Sequence, residues 1–124
     1  MEGRKKQYDI ECVQEGHANG VAPGFPLSDK QKQKMIEKAA KAYGKFLDEL
    51  GCDWRNDPNS SDTPRRVAKA YVNDLWAGRY TLPTEITSFP SDGYDGIIQE
   101  SNIPVTSMCS HHHQTIKGLV SVAY

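Results

Sequence analysis

Gln114-Thr-Ile-Lys-Gly-Leu-Val-Ser-Val-Ala-Tyr124 is an alternating run of apolar and polar residues at the end of the 124-residue chain. Residues two apart in a strand point to the same face of a sheet, so this alternation predicts a β-strand with one apolar face. The apolar face of this strand consists of Ile116, Gly118, Val120, Val122 and Tyr124, and the opposite face carries Lys117 and Ser121.

The segment directly before this strand, Cys109-Ser-His-His-His113, places one thiol and three imidazoles within five residues. The whole chain has only three cysteines and four histidines. Thiolate and neutral imidazole are ligands that Zn²⁺ takes in proteins. Imidazole is also the best general acid or base near neutral pH. The segment is therefore a candidate metal site with a proton donor beside it.

Two ligand sets are open within this segment. In a straight strand, Cys109, His111 and His113 share a face and could form a tripod. If the chain turns after Cys109, that thiol and His112 become a Cys-x-x-His half-site, and His111 is left beside the metal as a proton donor. A solvated loop without metal is the plain alternative, because short motifs of this kind often match by chance. Spacing alone does not choose among these possibilities.

Composition restricts the class of protein. The formal net charge is -1, from 15 basic and 16 acidic residues, which gives no electrostatic case for nucleic-acid binding. No apolar run approaches the ~18 residues that span a bilayer, and no signal-peptide pattern opens the chain. Three cysteines at irregular spacing argue against a disulfide framework. We expect a soluble, cytoplasmic protein.

A first amphipathic helix is predicted to start at Ser28 or Asp29, both good N-cap residues, and to stop at Gly51. Its apolar residues fall three or four positions apart and therefore form one stripe. The stripe consists of Met35, Ile36, Ala39, Tyr43, Phe46, Leu47 and Leu50.

A second helix is predicted from Thr63, which can cap it, through Pro64 at the first helical position to Gly78. Near its start, Arg66 belongs by default to a solvated helical face. The alternative is an anion-binding residue, because N-terminal amides and guanidiniums both favour phosphate. The predicted buried face consists of Val67, Ala68, Tyr71, Leu75 and Trp76.

The order of these elements predicts three segments. Residues 1–27 are polar and punctuated by glycine and proline, which indicates a flexible arm or a segment ordered only by a partner subunit. Residues 28–80 form a helical segment. Residues 81–124 combine a loop with strands, one of which carries Pro104 at an edge or a bulge. Helices followed by strands, without a βαβ alternation, indicate the α+β class.

Two segments together resemble GTP cyclohydrolase I. Asp62-Thr-Pro-Arg-Arg-Val-Ala-Lys-Ala-Tyr71 is similar to that family's Thr-Pro-x-Arg-(Ile/Val)-Ala-Lys helix start. Ser107-Met-Cys-Ser-His-His112, followed by Thr115-Ile-Lys-Gly118 and Val122-Ala-Tyr124, is similar to the family's Cys-Glu-His-His segment and the strand after it. The resemblance covers residues 28–124, with Ser110 in place of the family's usual Glu.

The resemblance implies a zinc-dependent enzyme that opens the imidazole ring of GTP. The products would be formate and 7,8-dihydroneopterin triphosphate, at the entry to folate or pterin synthesis. By the same resemblance, Cys109 and His112 bind Zn²⁺, His111 takes part in proton transfer, and Arg66 reaches the triphosphate. The implied fold is the tunnelling fold, an antiparallel sheet with helices on one side, assembled as a toroidal homo-decamer.

The chain resembles the N-terminal part of such an enzyme. In the family pattern, the second zinc cysteine and the guanine-binding carboxylate follow beyond Tyr124, so we expect an incomplete tunnelling fold and an inactive 124-residue chain. Two other hypotheses stay open. One is a non-catalytic module in which Cys109 and the histidines hold a structural metal or none. The other is a different tunnelling-fold enzyme that acts on a pterin or a deazaguanine.

Overall fold

The computed structural model describes residues 20–85 and 87–124, which fall into a helical unit up to Pro83 and a hairpin unit from Thr84 onward. The predicted α+β class, with helices followed by the antiparallel sheet of a tunnelling fold, is confirmed. No helix in the described ranges is long and apolar enough to cross a membrane. The regular elements are α1 (Asp29–Glu49), α2 (Thr63–Ala70), β1 (Gln99–Met108) and β2 (Thr115–Ala123).

Both predicted ends of α1 are confirmed. The Ser28 hydroxyl accepts a hydrogen bond from the Gln31 backbone N–H at 3.3 Å, and the Gln31 side-chain oxygen accepts the Ser28 N–H at 2.8 Å. This capping box satisfies two N–H groups that the helix cannot bond internally. At the other end, Gly51 has φ 74°, a left-handed conformation that glycine adopts without a steric penalty.

The predicted apolar stripe of α1 is only partly buried. Gly44, which the stripe did not include, is buried as well. Of the stripe, Ile36 is buried, Met35, Tyr43 and Leu47 are half-buried, and Ala39, Phe46 and Leu50 are exposed.

The second helical segment changes its geometry along its length. Its N-cap position is Asp62 rather than Thr63, and the Asp62 side chain makes no capping hydrogen bond. After α2 the chain widens into a π-helical turn, Tyr71–Leu75, in which the Trp76 N–H donates to the Tyr71 carbonyl at 2.9 Å. A 3₁₀ turn, Ala77–Arg79, then ends the segment close to the predicted stop at Gly78.

The π turn moves the buried face of this segment. A π turn bonds each N–H to the carbonyl five residues back, so residues in it rotate away from a stripe extrapolated at α-helical period. Val72 is buried, whereas Leu75 is 41% exposed, so the prediction that Leu75 is buried was wrong. Of the other predicted residues, Ala68 is buried, and Val67, Tyr71 and Trp76 are half-buried.

The core of the helical unit includes residues that precede α1. The Ala22 N–H donates to the Arg79 carbonyl and the Leu27 N–H donates to the Tyr80 carbonyl, both at 2.9 Å. The end of the predicted arm is therefore packed against this unit, because Val21 and Ala22 are small apolar residues that it buries. The part of the arm before Gly20 lies outside the described residues. The buried cluster consists of Ala22, Ile36, Ala68, Val72 and Tyr80.

β1 and β2 pair as an antiparallel hairpin, which confirms the predicted final strand and the predicted strand at residues 103–106. Ile98 extends the pairing, because it exchanges both backbone hydrogen bonds with Tyr124, at 2.8 and 3.0 Å. A register shift interrupts β1 between Glu100 and Ile103, where Asn102 has φ 60°.

Pro104 lies within β1 opposite Leu119. Hydrogen-bonded and non-bonded pairs alternate along an antiparallel ladder. The Cys109 N–H bonds to the Gln114 carbonyl at 2.9 Å, so the alternation places Pro104 at a non-bonded position. Its missing N–H therefore costs no bond within the hairpin. One face of the hairpin, called the apolar face below, carries Ile103, Val105, Ile116, Val120 and Val122.

Candidate metal and proton-transfer site

The cysteine and histidine segment forms the turn between β1 and β2. The Cys109 N–H donates to the Gln114 carbonyl, and the His113 N–H donates to the Cys109 carbonyl, each at 2.9 Å. His113 has φ 53°, a left-handed conformation that lets the chain reverse. A straight strand through His111 is therefore absent, and the alternative of a tripod of Cys109, His111 and His113 lacks the backbone geometry that it required.

His111 contacts the thiol within this turn. The Cys109 Sγ lies 3.6 Å from Nδ1 of His111, a hydrogen-bonding distance for sulfur. Cys109 is half-buried, whereas His111 is exposed. Because Nδ1 faces the thiol, Nε2 is the nitrogen that remains for proton exchange with another molecule. The turn thus joins the predicted proton-transfer residue to one of the predicted zinc ligands.

His112, the second predicted zinc ligand, lies in the same turn. Its ring centroid is 6.4 Å from that of His111, and its carbonyl accepts a hydrogen bond from the Gln114 side chain at 3.4 Å. Thiol and imidazole are the donor types that zinc prefers, so the donor chemistry fits zinc. Among the described residues, no three His, Cys, Asp or Glu side chains form a set that could hold a metal ion.

Arg66 lies in the first turns of α2, in the helical unit. Its Nε is 3.4 Å from an Asp62 carboxylate oxygen, and both side chains are largely exposed. Exposed ion pairs of this kind are weak, because water screens them. The Arg66 guanidinium is therefore still able to bind an anion, as the sequence allowed.

A polar cluster that joins the last turn of α1 to the loop after it was missed by sequence reasoning. Asp48 accepts hydrogen bonds from Trp54 Nε1 at 2.9 Å and from the two terminal nitrogens of Arg55 at 2.6 and 2.8 Å. The Arg55 guanidinium also stacks on the Trp54 ring, 4.3 Å from its centroid. The Arg55 bonds, together with that from Trp54, hold the pKa of the Asp48 carboxyl below its usual range. The partners are six and seven residues apart across a loop, a separation with no periodic signal.

A second carboxylate with a lowered pKa, Asp57, lies in the loop between α1 and α2, and its contacts follow from turn chemistry. The Ser60 hydroxyl, and then the Asn59 backbone N–H, lower the pKa of Asp57 by hydrogen bonding to its carboxylate. Asp side chains that bond to the backbone two residues on are typical of turns. This agrees with the run of turn-forming residues in this loop, Asn56-Asp-Pro-Asn-Ser-Ser-Asp62. These hydrogen bonds to Asp57 order the chain before α2, and they identify no candidate for catalysis.

The fold and the turn define an α+β protein with a thiol–imidazole contact at the tip of an antiparallel hairpin. The family model for GTP cyclohydrolase I matches residues 39–124. This range contains both the start of α2 and the turn from Cys109 to His113. The chain belongs to the GTP cyclohydrolase I family.

Relatives named GTP cyclohydrolase 1 align over most of this chain. That of Aeromonas salmonicida (strain A449) is 36% identical over 100 residues, 79% of this chain and 44% of the relative. That of Shewanella denitrificans is 41% identical over 104 residues, 82% and 47% of the two chains. That of Shewanella loihica is 31% identical over 121 residues, which are 96% of this chain and 54% of the relative. The chain spans about half the length of these curated relatives.

Proposed function

We propose that this protein acts as a zinc-dependent GTP cyclohydrolase I, a hydrolase that converts GTP to formate and 7,8-dihydroneopterin triphosphate. The observation that carries the proposal is the 3.6 Å contact between Cys109 Sγ and His111 Nδ1. It puts a proton-transfer group against a zinc-type ligand in one turn. Family membership and the names of the relatives support the same activity. The product would supply folate or pterin synthesis.

In this proposal, Cys109 and His112 hold the metal with a further ligand from outside the described set. Zinc supplies Lewis acidity that makes water nucleophilic near neutral pH. His111 donates a proton to the imidazole ring of the purine from Nε2, which raises the electrophilicity of the carbon that water attacks. Arg66 holds the triphosphate through charge-assisted hydrogen bonds.

We also propose that the enzyme is a cytoplasmic homo-oligomer, in which Arg66 can serve the GTP of a neighbouring subunit. Because the described residues bring fewer than three ligands together, the 124-residue chain alone should release no formate from GTP. The principal alternative is a non-catalytic module that holds a structural metal at Cys109.

Substitutions at the turn separate metal binding from proton transfer. In the full-length protein, Cys109→Ala should lose zinc and activity, since too few ligands remain. His111→Ala should keep zinc and lose on the order of 10²-fold in rate. Cys52→Ala, which removes an exposed thiol of the helical unit, is the matched control and should change neither quantity. Zinc analysis and formate release from GTP are the two measurements.

Each result has a distinct meaning. Zinc retained by Cys109→Ala would contradict the ligand assignment. Zinc lost by His111→Ala would make His111 a ligand instead of a proton donor. A wild-type protein that holds stoichiometric zinc but releases no formate would favour the structural-metal alternative.

Arg66 is tested by its effect on substrate affinity. Arg66→Ala should raise the KM for GTP and leave zinc content unchanged, because the residue holds phosphate and not metal. Arg65→Ala removes a neighbouring exposed guanidinium and serves as the control. Equal effects of the two substitutions on KM, or no effect, would indicate that Arg66 belongs to a solvated helical face and does not bind the triphosphate.

A further inference from the structure

α1 carries a row of five lysines along one face. Successive members are three or four residues apart, a spacing that puts side chains on the same side of a helix. At about 1.5 Å per residue, the row extends over about 22 Å. All five side chains are exposed. The lysine row consists of Lys30, Lys34, Lys38, Lys41 and Lys45.

The lysine row is not explained by the needs of the helix itself. Like charges three or four residues apart repel one another and disfavour the helix. The last turn of α1 holds no basic residue, so the row does not complement the helix macrodipole there. Three carboxylates of the same helix bond to residues outside the row: Asp48 binds Trp54 and Arg55, Asp29 pairs with Lys32 at 3.0 Å, and Glu37 accepts a hydrogen bond from Gln33 at 3.4 Å.

An exposed apolar row lies beside the lysines. Ala42 is four residues after Lys38 and three before Lys45, so the two rows are neighbours on the helix surface. Phe46 and Leu50 are 53% and 61% exposed. The buried side of α1, at Ile36 and Gly44, is a different face. The apolar row consists of Ala39, Ala42, Phe46 and Leu50.

We propose that these two rows form a docking surface for an acidic amphipathic helix of another protein. Apolar side chains of the partner would pack on the apolar row, and its flanking carboxylates would pair with the lysine row. Helices that pair through an apolar seam with charged flanks use this arrangement. The inference rests on the helical unit alone and does not depend on the proposed activity.

The composition of the two rows favours an acidic helix over a phosphate backbone. Bidentate recognition of phosphate uses the planar fork of arginine, and the row contains no arginine. Contacts with a phosphate backbone would also leave Phe46 and Leu50 in water.

The probe is a labelled synthetic helix of about 21 residues with Leu at the a and d positions and Glu at the flanking e and g positions. Its twin has Lys in place of every Glu. Binding to the full-length protein is measured by fluorescence anisotropy. The acidic helix should bind, and its affinity should fall with added salt. The basic twin should not bind. Equal binding of both helices would overturn the proposal, because it would show apolar adhesion alone.

Two matched sets of substitutions locate the binding. The triple change Lys34→Glu, Lys38→Glu and Lys45→Glu should lower the affinity for the acidic helix by about tenfold or more. The control triple Arg65→Glu, Lys69→Glu and Lys117→Glu alters exposed residues off the row by the same total charge and should have little effect. Likewise Phe46→Ala should weaken binding, whereas Phe89→Ala, at an exposed phenylalanine of the hairpin unit, should not.

Other occupants give other results. If the two triple variants lost affinity for the acidic helix equally, the effect would be one of non-specific charge, and the proposal would be overturned. It would also be overturned if the wild type bound phosphatidylserine vesicles or poly(U) through the row but not the acidic helix. A row triple that changed only the oligomeric mass by light scattering would assign the surface to a second copy of this chain.

Discussion

Gly44 has no side chain, and this lets the loop after α1 approach the helix closely. A Cβ atom placed on Gly44 would lie 2.9 Å from the ring of Trp54. Trp54 cannot easily move away, because its indole N–H is bonded to Asp48 and its ring carries the Arg55 guanidinium. The glycine is therefore required here for space and not for an unusual backbone conformation.

Gly44→Ala should destabilise the helical unit in spite of alanine's better helix propensity. The propensity favours alanine by about 1 kcal/mol, but overpacking against a fixed ring costs about 1–3 kcal/mol. We expect a net loss on the order of 1 kcal/mol in urea unfolding followed by circular dichroism. Gly78→Ala is the control, since nothing lies within 4 Å of a Cβ at Gly78. A more stable Gly44→Ala protein would show that Trp54 moves freely.

The Asp48 carboxylate makes part of the stability pH-dependent. Arg55 and Trp54 bond to its charged form and lower its pKa below the ordinary 3.8. Stability from such a group is present above the ordinary pKa and is lost as the pH falls through the lowered pKa of the folded state. Asp48→Asn should therefore unfold at less urea than the wild type near neutral pH, and the difference should shrink below about pH 4. A difference that stays constant down to about pH 2.5 would contradict a role for the charge.

At the scale of the elements, the capping box sets where α1 begins. Ser28→Ala removes the acceptor for the Gln31 N–H and should cost about 1 kcal/mol of the helical unit's unfolding free energy. Ser61→Ala removes an exposed hydroxyl outside any cap and should be close to neutral. Thermal unfolding of the two variants provides the comparison. Equal shifts in Tm would show that the box contributes nothing.

Local signals made the ends of elements predictable. The cap at Ser28, the stop at Gly51 and the alternation after Gln114 each depend on residues close in sequence, and each is confirmed. The π turn, in which Val72 is buried, has no such local signal in the sequence. An extrapolated α-helical period therefore placed Leu75 inside when it is exposed.

The candidate site was predictable in composition but not in geometry. The pattern from Cys109 to His113 identified the chemistry, and it left open whether the chain turned. The turn depends on the left-handed backbone of His113 and on the pairing of β1 with β2, and neither can be deduced from five residues. The assignment of Cys109 and His112 as zinc ligands stays a prediction.

At the scale of the whole molecule, apolar surface is left uncovered in the chain as it stands. Every residue of β2 is exposed, and so is Val105 of β1. Exposed apolar patches on a sheet mark places where other protein surface binds, or else where molecules aggregate. The apolar face is thus a surface where we expect other protein surface to bind.

The 124-residue chain should consequently associate through the apolar face, and one charge in its centre should reduce that association. Val120→Lys places an ammonium group opposite Ile103, between Gly118 and Val122 on the same face. Leu119→Lys changes a more exposed residue, but on the face that already carries Lys117, and it is the control. Light scattering at increasing concentration should show less aggregate for Val120→Lys than for Leu119→Lys. If both substitutions reduced scattering equally, the association would depend on general charge or on the open strand edges and not on this face.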